Sequence, residues 1–197
     1  KNSVPLIGGI YLVILFILFL LKFEKYFELL VLFSIFVLGI YTDLKILKSP
    51  KKRLLIQTLF IVLLTSVAKL EIVDTRIDLI NFFLEIKIIN FFFVVFCLLI
   101  LMNGSNFIDG LNGLLVGYFI MITLVLIKIG VFNFYYINMV ELFFFLLTLI
   151  LIFCSNISNK LYLGDSGVYA ISMFFGLVIL DYHNNNILSK LFTPSSL

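Results

Sequence analysis

The chain has 197 residues, of which 63% are hydrophobic and 13% charged, with 24 Phe and a mean hydropathy of +1.23. That composition excludes both a water-soluble globular domain and a disordered chain, and it marks an integral membrane protein in contact with a lipid bilayer. The net charge of +3 excludes little as a total, but its placement along the chain orients the protein.

A helix needs roughly 20 apolar residues to cross ~30 Å of hydrocarbon, with ~17 at the short end. By that measure the chain is all-α, a polytopic transmembrane helical bundle of about seven spans forming one integral membrane domain over residues 1–197. The spans lie near residues 4–21, 29–41, 54–70, 88–102, 114–129, 139–154 and 167–180. The second is short enough to be re-entrant. The chain opens Lys-Asn-Ser-Val-Pro with no cleavable signal pattern, so its N-terminus is expected to be incomplete. Cys97 and Cys154 fall in apolar spans and read as inert core thiols. His183 is the single histidine, which argues against a His-based zinc site or a serine triad.

Charge then sets the topology. Residues 43–53 between the second and third spans carry Lys45, Lys48, Lys51, Lys52 and Arg53 against Asp43, whereas residues 71–85 carry Glu71, Asp74, Asp78 and Glu85 around Arg76. The positive-inside rule makes the first loop cytoplasmic and the second its opposite. Counting spans, residues 1–9, 42–53, 103–113 and 155–166 then share the cytoplasmic face, and residues 22–28, 71–85 and 130–138 the other. Lys69, Lys128, Glu141 and Asp181 sit near span ends, where they can snorkel to the interface. Charges are essentially absent from mid-span positions, which argues against a proton-coupled transporter or an ion channel.

Three polar clusters fall on the cytoplasmic face. The first is Gly39-Ile-Tyr-Thr-Asp43 with the basic loop, where Arg53 and Gln57, four apart, share one helix face. It suits a phosphorylated ligand, and equally an anchor for anionic lipid headgroups. The second is Asn103-Gly-Ser-Asn-Phe-Ile-Asp-Gly-Leu-Asn-Gly113, in which Asn106, Asp109 and Asn112 are spaced three apart. On a helix they would face a common ligand; in a tight turn they would serve as caps. The third is Leu161-Tyr-Leu-Gly-Asp-Ser-Gly167, whose Asp165 reads as an N-cap or as a Mg²⁺ ligand, since Mg²⁺ needs only one or two carboxylates beside substrate phosphates.

These motifs together resemble the polyprenyl-phosphate N-acetylhexosamine-1-phosphate transferases, glycosyltransferases of the family 4 type. That group includes the GlcNAc-1-phosphate transferases of O-antigen and teichoic acid synthesis and, more distantly, the phospho-MurNAc-pentapeptide transferase. Val4-Pro-Leu-Ile-Gly-Gly9 resembles the first family motif, and Thr42-Asp43 with Arg53 and Gln57 resembles the Asp-Asp motif and its following helix. Residues 103–113 resemble the central Asn/Asp/Gly motif, and Tyr162-Leu-Gly-Asp-Ser-Gly167 the Gly-Asp motif. Thr42, Arg53 and Asn112 stand where many members carry Asp, Lys and Asp.

The resemblance implies transfer of a sugar-1-phosphate, expected to be GlcNAc-1-phosphate, from a UDP-sugar to undecaprenyl phosphate, with release of UMP. The place implied is the cytoplasmic face of a bacterial inner membrane, in the synthesis of cell-envelope polysaccharide. It also implies a Mg²⁺ cofactor, with Mn²⁺ as the alternative, held by Asp165 and Asp43, and catalysis by Asp43, Asp109 and Asp165. Thr42, Arg53, Gln57, Asn103, Asn106, Asn112 and Tyr162 are the implied substrate-binding residues, Tyr162 stacking near uracil. No nucleic acid is expected as a partner, and a homodimer is compatible with the family. Against that family the chain reads as a fragment without a His/Arg-rich C-terminal loop, so the alternative expectation is an incomplete remnant that binds nucleotide-sugar or lipid phosphate without turnover.

Overall fold

The computed structural model describes residues 8–22, 24–130 and 138–191, and the regular elements among them are all α-helices. In chain order these are α1 (Gly8–Lys22), α2 (Tyr26–Asp43), α3 (Pro50–Val67), α4 (Asp78–Leu84), α5 (Lys87–Ile108), α6 (Leu114–Lys128), α7 (Met139–Ile157) and α8 (Gly164–Leu191). Each predicted span has its helix. By length and composition, α2, α5, α7 and the Gly164–Asn185 part of α8 can cross a membrane. The other long helices fall short of that measure: α1 and α6 have 15 residues each, and α3 begins on the polar run Pro50-Lys-Lys-Arg53. Residues 4–7 of the first predicted span, and most of the 130–138 loop, lie outside the described residues.

Three expectations are corrected. The second span is a full 18-residue helix, because the helix continues past the apolar run into Tyr26–Glu28 at one end, with Glu28 in the first turn, and into Thr42-Asp43 at the other. The 71–85 loop contains α4, where the apolar run Leu-Ile-Asn-Phe-Phe-Leu forms two turns behind Asp78, an acid that favours a helix start. Cys97 and Cys154 are unpaired, as expected, but exposed on the outer surface of α5 and α7 rather than buried.

The centre of the bundle is α8. Of its membrane-crossing window 78% is buried, against 22% for α7, and it packs on α1, α2 and α5. Phe174 stacks on Phe16 of α1 at 4.2 Å between ring centroids, and Phe175 stacks on Phe119 of α6 at 4.8 Å. Lipid tails are as apolar as leucine, so helices in a bilayer associate through close packing of small residues rather than through burial alone. Here Gly39 of α2 is where the backbones meet: an added Cβ would overlap Ser166 Cα and lie 2.9 Å from the Asp165 carbonyl carbon. Gly39→Ala must therefore force α2 and α8 apart at their functional ends. We expect it to lower stability by about 3 kcal/mol, the upper end of overpacking costs, and Gly39→Leu to prevent folding. Thermal unfolding in detergent checks this; an alanine variant that melts with the wild type would disprove the contact.

The helix directions bring the C-termini of α2, α5 and α7 together with the N-termini of α3, α6 and α8. The opposite end is closed by Lys22 on Glu141 at 2.7 Å and Lys25 on Asp181 at 3.0 Å. There the non-helical strap before α4 has its backbone satisfied by side chains. Asn90 bonds both the amide and the carbonyl of Ile72, Asn184 accepts from Val73 N, and His183 Nε2 lies 2.6 Å from Asp74 O. His183 is thus a structural contact at this end.

Candidate active site

At the other end, Asp43 closes α2 and points across to the start of α8. Its Oδ1 accepts from Asp165 N at 2.8 Å, while Oδ2 accepts from Ser166 N at 3.1 Å and Ser166 Oγ at 2.8 Å. The first amides of a helix have no partner within it, so Asp43 caps α8 from a distant part of the chain. Gly164 makes this approach possible. It is left-handed, with φ +73°, and an added Cβ would sit 2.7 Å from Asp43 Oδ2.

That cap leaves the Asp165 side chain to face the cluster. Its Oδ2 accepts from Arg53 Nη1 of α3 at 2.9 Å, and Oδ1 accepts from Asn106 Nδ2 of α5 at 2.8 Å. The Tyr169 hydroxyl lies at 3.5 Å. Both members of the Arg53 pair are about a quarter exposed, so the pair is reached by water and by ligands. Arg presents five N–H donors and stays charged, which leaves Arg53 with donors to offer a phosphate while it holds Asp165.

Asp109 is the C-cap residue of α5 and lies just beyond its apolar run. Among the described residues its carboxylate has neither a hydrogen bond nor an ion pair. Burial, and then the negative charges of Asp165 and Asp43, push its pKa up to about 6. Asp43, Asp109, Asn112, Asn156, Tyr162, Gly164 and Asp165 line one cavity of about 270 Å³.

The remaining predicted residues divide by position. Asn103 and Gln57 bond one another, Nδ2 to Oε1 at 3.2 Å, with Gln57 fully buried between α3 and α5. They brace the helices that carry Arg53 and Asn106. Thr42 turns its hydroxyl back onto Leu38 O and does not line the cavity. Asn112 lies in the α5–α6 turn, after the helix has ended, so Asn106, Asp109 and Asn112 do not form one helical stripe. Sequence reasoning missed Ser166, Asn156 and Asn159. Asn156 Oδ1 accepts from Gly113 N at 2.6 Å and fixes that turn. The signal for Asn156 and Asn159 was the polar ending of an otherwise apolar span.

A family model described as Glycosyl transferase family 4 matches residues 26–183. The chain belongs to that family. Its members are membrane sugar-phosphate transferases, and the matched stretch of this family 4 chain contains the three carboxylates, Arg53 and both asparagine-bearing turns. Neither the curated proteins nor the solved structures give a match.

The donor set also bears on a divalent cation. Among the described residues no three His, Cys, Asp or Glu side chains are grouped to hold a metal unaided. Mg²⁺ seldom needs that: it prefers hard oxygen ligands, keeps several waters and takes one or two carboxylates beside substrate phosphates. An unpartnered Asp109 next to Asp165, in a cavity with excess negative charge, fits such a partly ligand-borne cation.

Proposed function

We propose that this protein transfers a sugar-1-phosphate, foremost GlcNAc-1-phosphate, from a UDP-sugar to undecaprenyl phosphate, releasing UMP, at the cytoplasmic face of a bacterial membrane. The observation that carries the reading is the convergence of Asp43, Asp109, Asp165 and Arg53 at one polar end of an apolar bundle, in a family 4 chain. The basic residues 45–53 adjoin that end, which supports its cytoplasmic placement.

Transfer requires an oxygen of the lipid phosphate to attack the sugar-bearing phosphorus of the UDP-sugar. The bond from that phosphorus to the bridging oxygen breaks, and UMP leaves with the electron pair. Positioning and charge stabilisation dominate such reactions. A phosphate monoester has its second pKa near ~6, so the acceptor is largely ionised at pH 7 and a general base is not required. Asp43 accordingly serves as a scaffold, since it fixes the start of α8 and so the direction of Asp165. Asp165 and Asp109 would hold Mg²⁺, with Asp43 behind them; when bound, the ion neutralises diphosphate charge. Arg53 orients Asp165 and offers its remaining N–H groups to phosphate. Tyr162 and Asn112 flank the nucleotide.

The deciding experiment is UMP release from UDP-GlcNAc by the purified chain in detergent with undecaprenyl phosphate, with and without Mg²⁺. Release that needs both the lipid and the metal is the expected result. UDP-GlcNAc binding without release, across several UDP-sugars, would favour the binding remnant instead.

A further inference from the structure

Asn159 lies between α7 and α8, outside the motifs that point to the site. Its backbone is left-handed, with φ +53°, a conformation that asparagine tolerates better than most residues. From there its Oδ1 accepts two hydrogen bonds at once, from the Tyr162 hydroxyl at 3.0 Å and from Asn112 Nδ2. An amide oxygen has two lone pairs, so these donors saturate it. The donors come from different elements, Asn112 from the α5–α6 turn and Tyr162 from the segment leading into α8, and both line the carboxylate cavity. Asn156 already fixes the backbone of the first of these segments through Gly113 N. Asn159 fixes side chains: the tilt of the Tyr162 ring and the direction of the Asn112 amide.

We propose that Asn159 is the positioning residue for the nucleotide half of the substrate, setting the spacing and orientation of the two side chains that flank it. This rests on the proposed UDP-sugar reading of the site. Its neutrality is part of the role. A carboxylate would accept the same two bonds, but it would bring another negative charge beside Asp43, Asp109 and Asp165 and repel a diphosphate. Asparagine supplies the two acceptor sites without that charge.

The test is a double-mutant cycle on the full chain in detergent, with Asn159→Gly and Tyr162→Phe. Glycine is chosen because it accepts φ +53° without strain, so its effect reports the lost side-chain acceptor rather than the backbone. Two lost hydrogen bonds of about 1 kcal/mol each set the scale. Asn159→Gly is expected to raise the KM for UDP-GlcNAc and the Kd for UMP about tenfold, while kcat and the KM for undecaprenyl phosphate change less than about threefold. Tyr162→Phe removes the hydroxyl and should give a smaller effect of the same kind. The double variant should be no worse than Asn159→Gly, because both changes break the same link. Unchanged nucleotide constants in Asn159→Gly, effects that multiply in the double variant, or an equal rise in the lipid KM would each overturn the proposal while wild-type turnover left the functional reading standing. A wild-type chain that neither binds UMP nor turns over UDP-GlcNAc would overturn both.

Discussion

Asp165→Ala is expected to reduce UMP release by on the order of a thousandfold in a protein that still folds, the scale seen when one preorganised electrostatic group is removed from a phosphoryl or acyl transfer site. Asp165 is where α3, α5 and α8 meet through side chains, so its loss frees Arg53 and Asn106 together. The fold should tolerate this. The cap that seats α8 uses the backbone N–H of Asp165 and the carboxylate of Asp43, neither of which the substitution removes. Arg53, about a quarter exposed, can return to water, so the stability cost should stay near about 1–2 kcal/mol rather than reach that of a stranded buried charge. Asp165→Asn keeps the shape but loses the charge, and it sets one of its own N–H groups against a donor. Its activity should fall nearly as far. The measurement is initial-rate UMP release beside thermal unfolding of the same preparations. Near wild-type release from a folded Asp165→Ala chain would remove Asp165 from the reaction.

The sequence makes the cluster visible because polar residues in so apolar a chain lack a packing role. Asp43, Arg53, Asn106, Asp109, Asn112, Tyr162 and Asp165 all stand out by contrast, and the structure brings them to one end of the bundle. What spacing cannot convey is how residues more than a hundred positions apart divide the work. Asp43 and Asp165 look equivalent in sequence, each an acid at the end of an apolar run. In the fold one is spent on the amides of α8, and the other is left facing the cavity. The place of α8 was obscured for a related reason. Hydropathy measures transfer from water, and a helix buried in protein scores no higher than one facing lipid. α8 is in fact less apolar than α5 and α7, and it carries Gly164, Gly167, Ala170, Ser172 and Gly176, the small residues that let neighbouring helices close on it. That pattern was a readable sign of a central helix. Asn159 offered only the polar ending of an apolar span; its role depends on a left-handed turn and on two partners from separate segments.

Asp109→Asn should make the protein more stable and inactive at the same time. In the folded state the carboxyl of Asp109 titrates at about 6, above the ordinary value of 3.8, so the fold binds that proton more tightly than the unfolded chain does. Ionised Asp109 therefore opposes folding. The penalty is complete above about pH 6 and vanishes as the pH falls below about 3.8, and a rise from 3.8 to about 6 corresponds to roughly 3 kcal/mol. The asparagine variant should accordingly melt several degrees above the wild type at pH 8, with the difference shrinking through pH 6 and gone near pH 4. In the wild type, UMP release should fall on the acid side as the carboxylate is lost, with a midpoint below about 6 when Mg²⁺ is present, because a cation beside Asp109 favours its ionised form. Equal melting at pH 8 would mean that the charge of Asp109 is already compensated in the free protein. A carboxylate held without a partner, at a cost to stability, is hard to explain by folding alone, since asparagine would serve the same turn better. The cation proposed above, arriving with its positive charge, would account for it. Mg²⁺ together with the nucleotide sugar should therefore raise the melting temperature of the wild type at pH 8 by more than that of Asp109→Asn, and so narrow the gap between them.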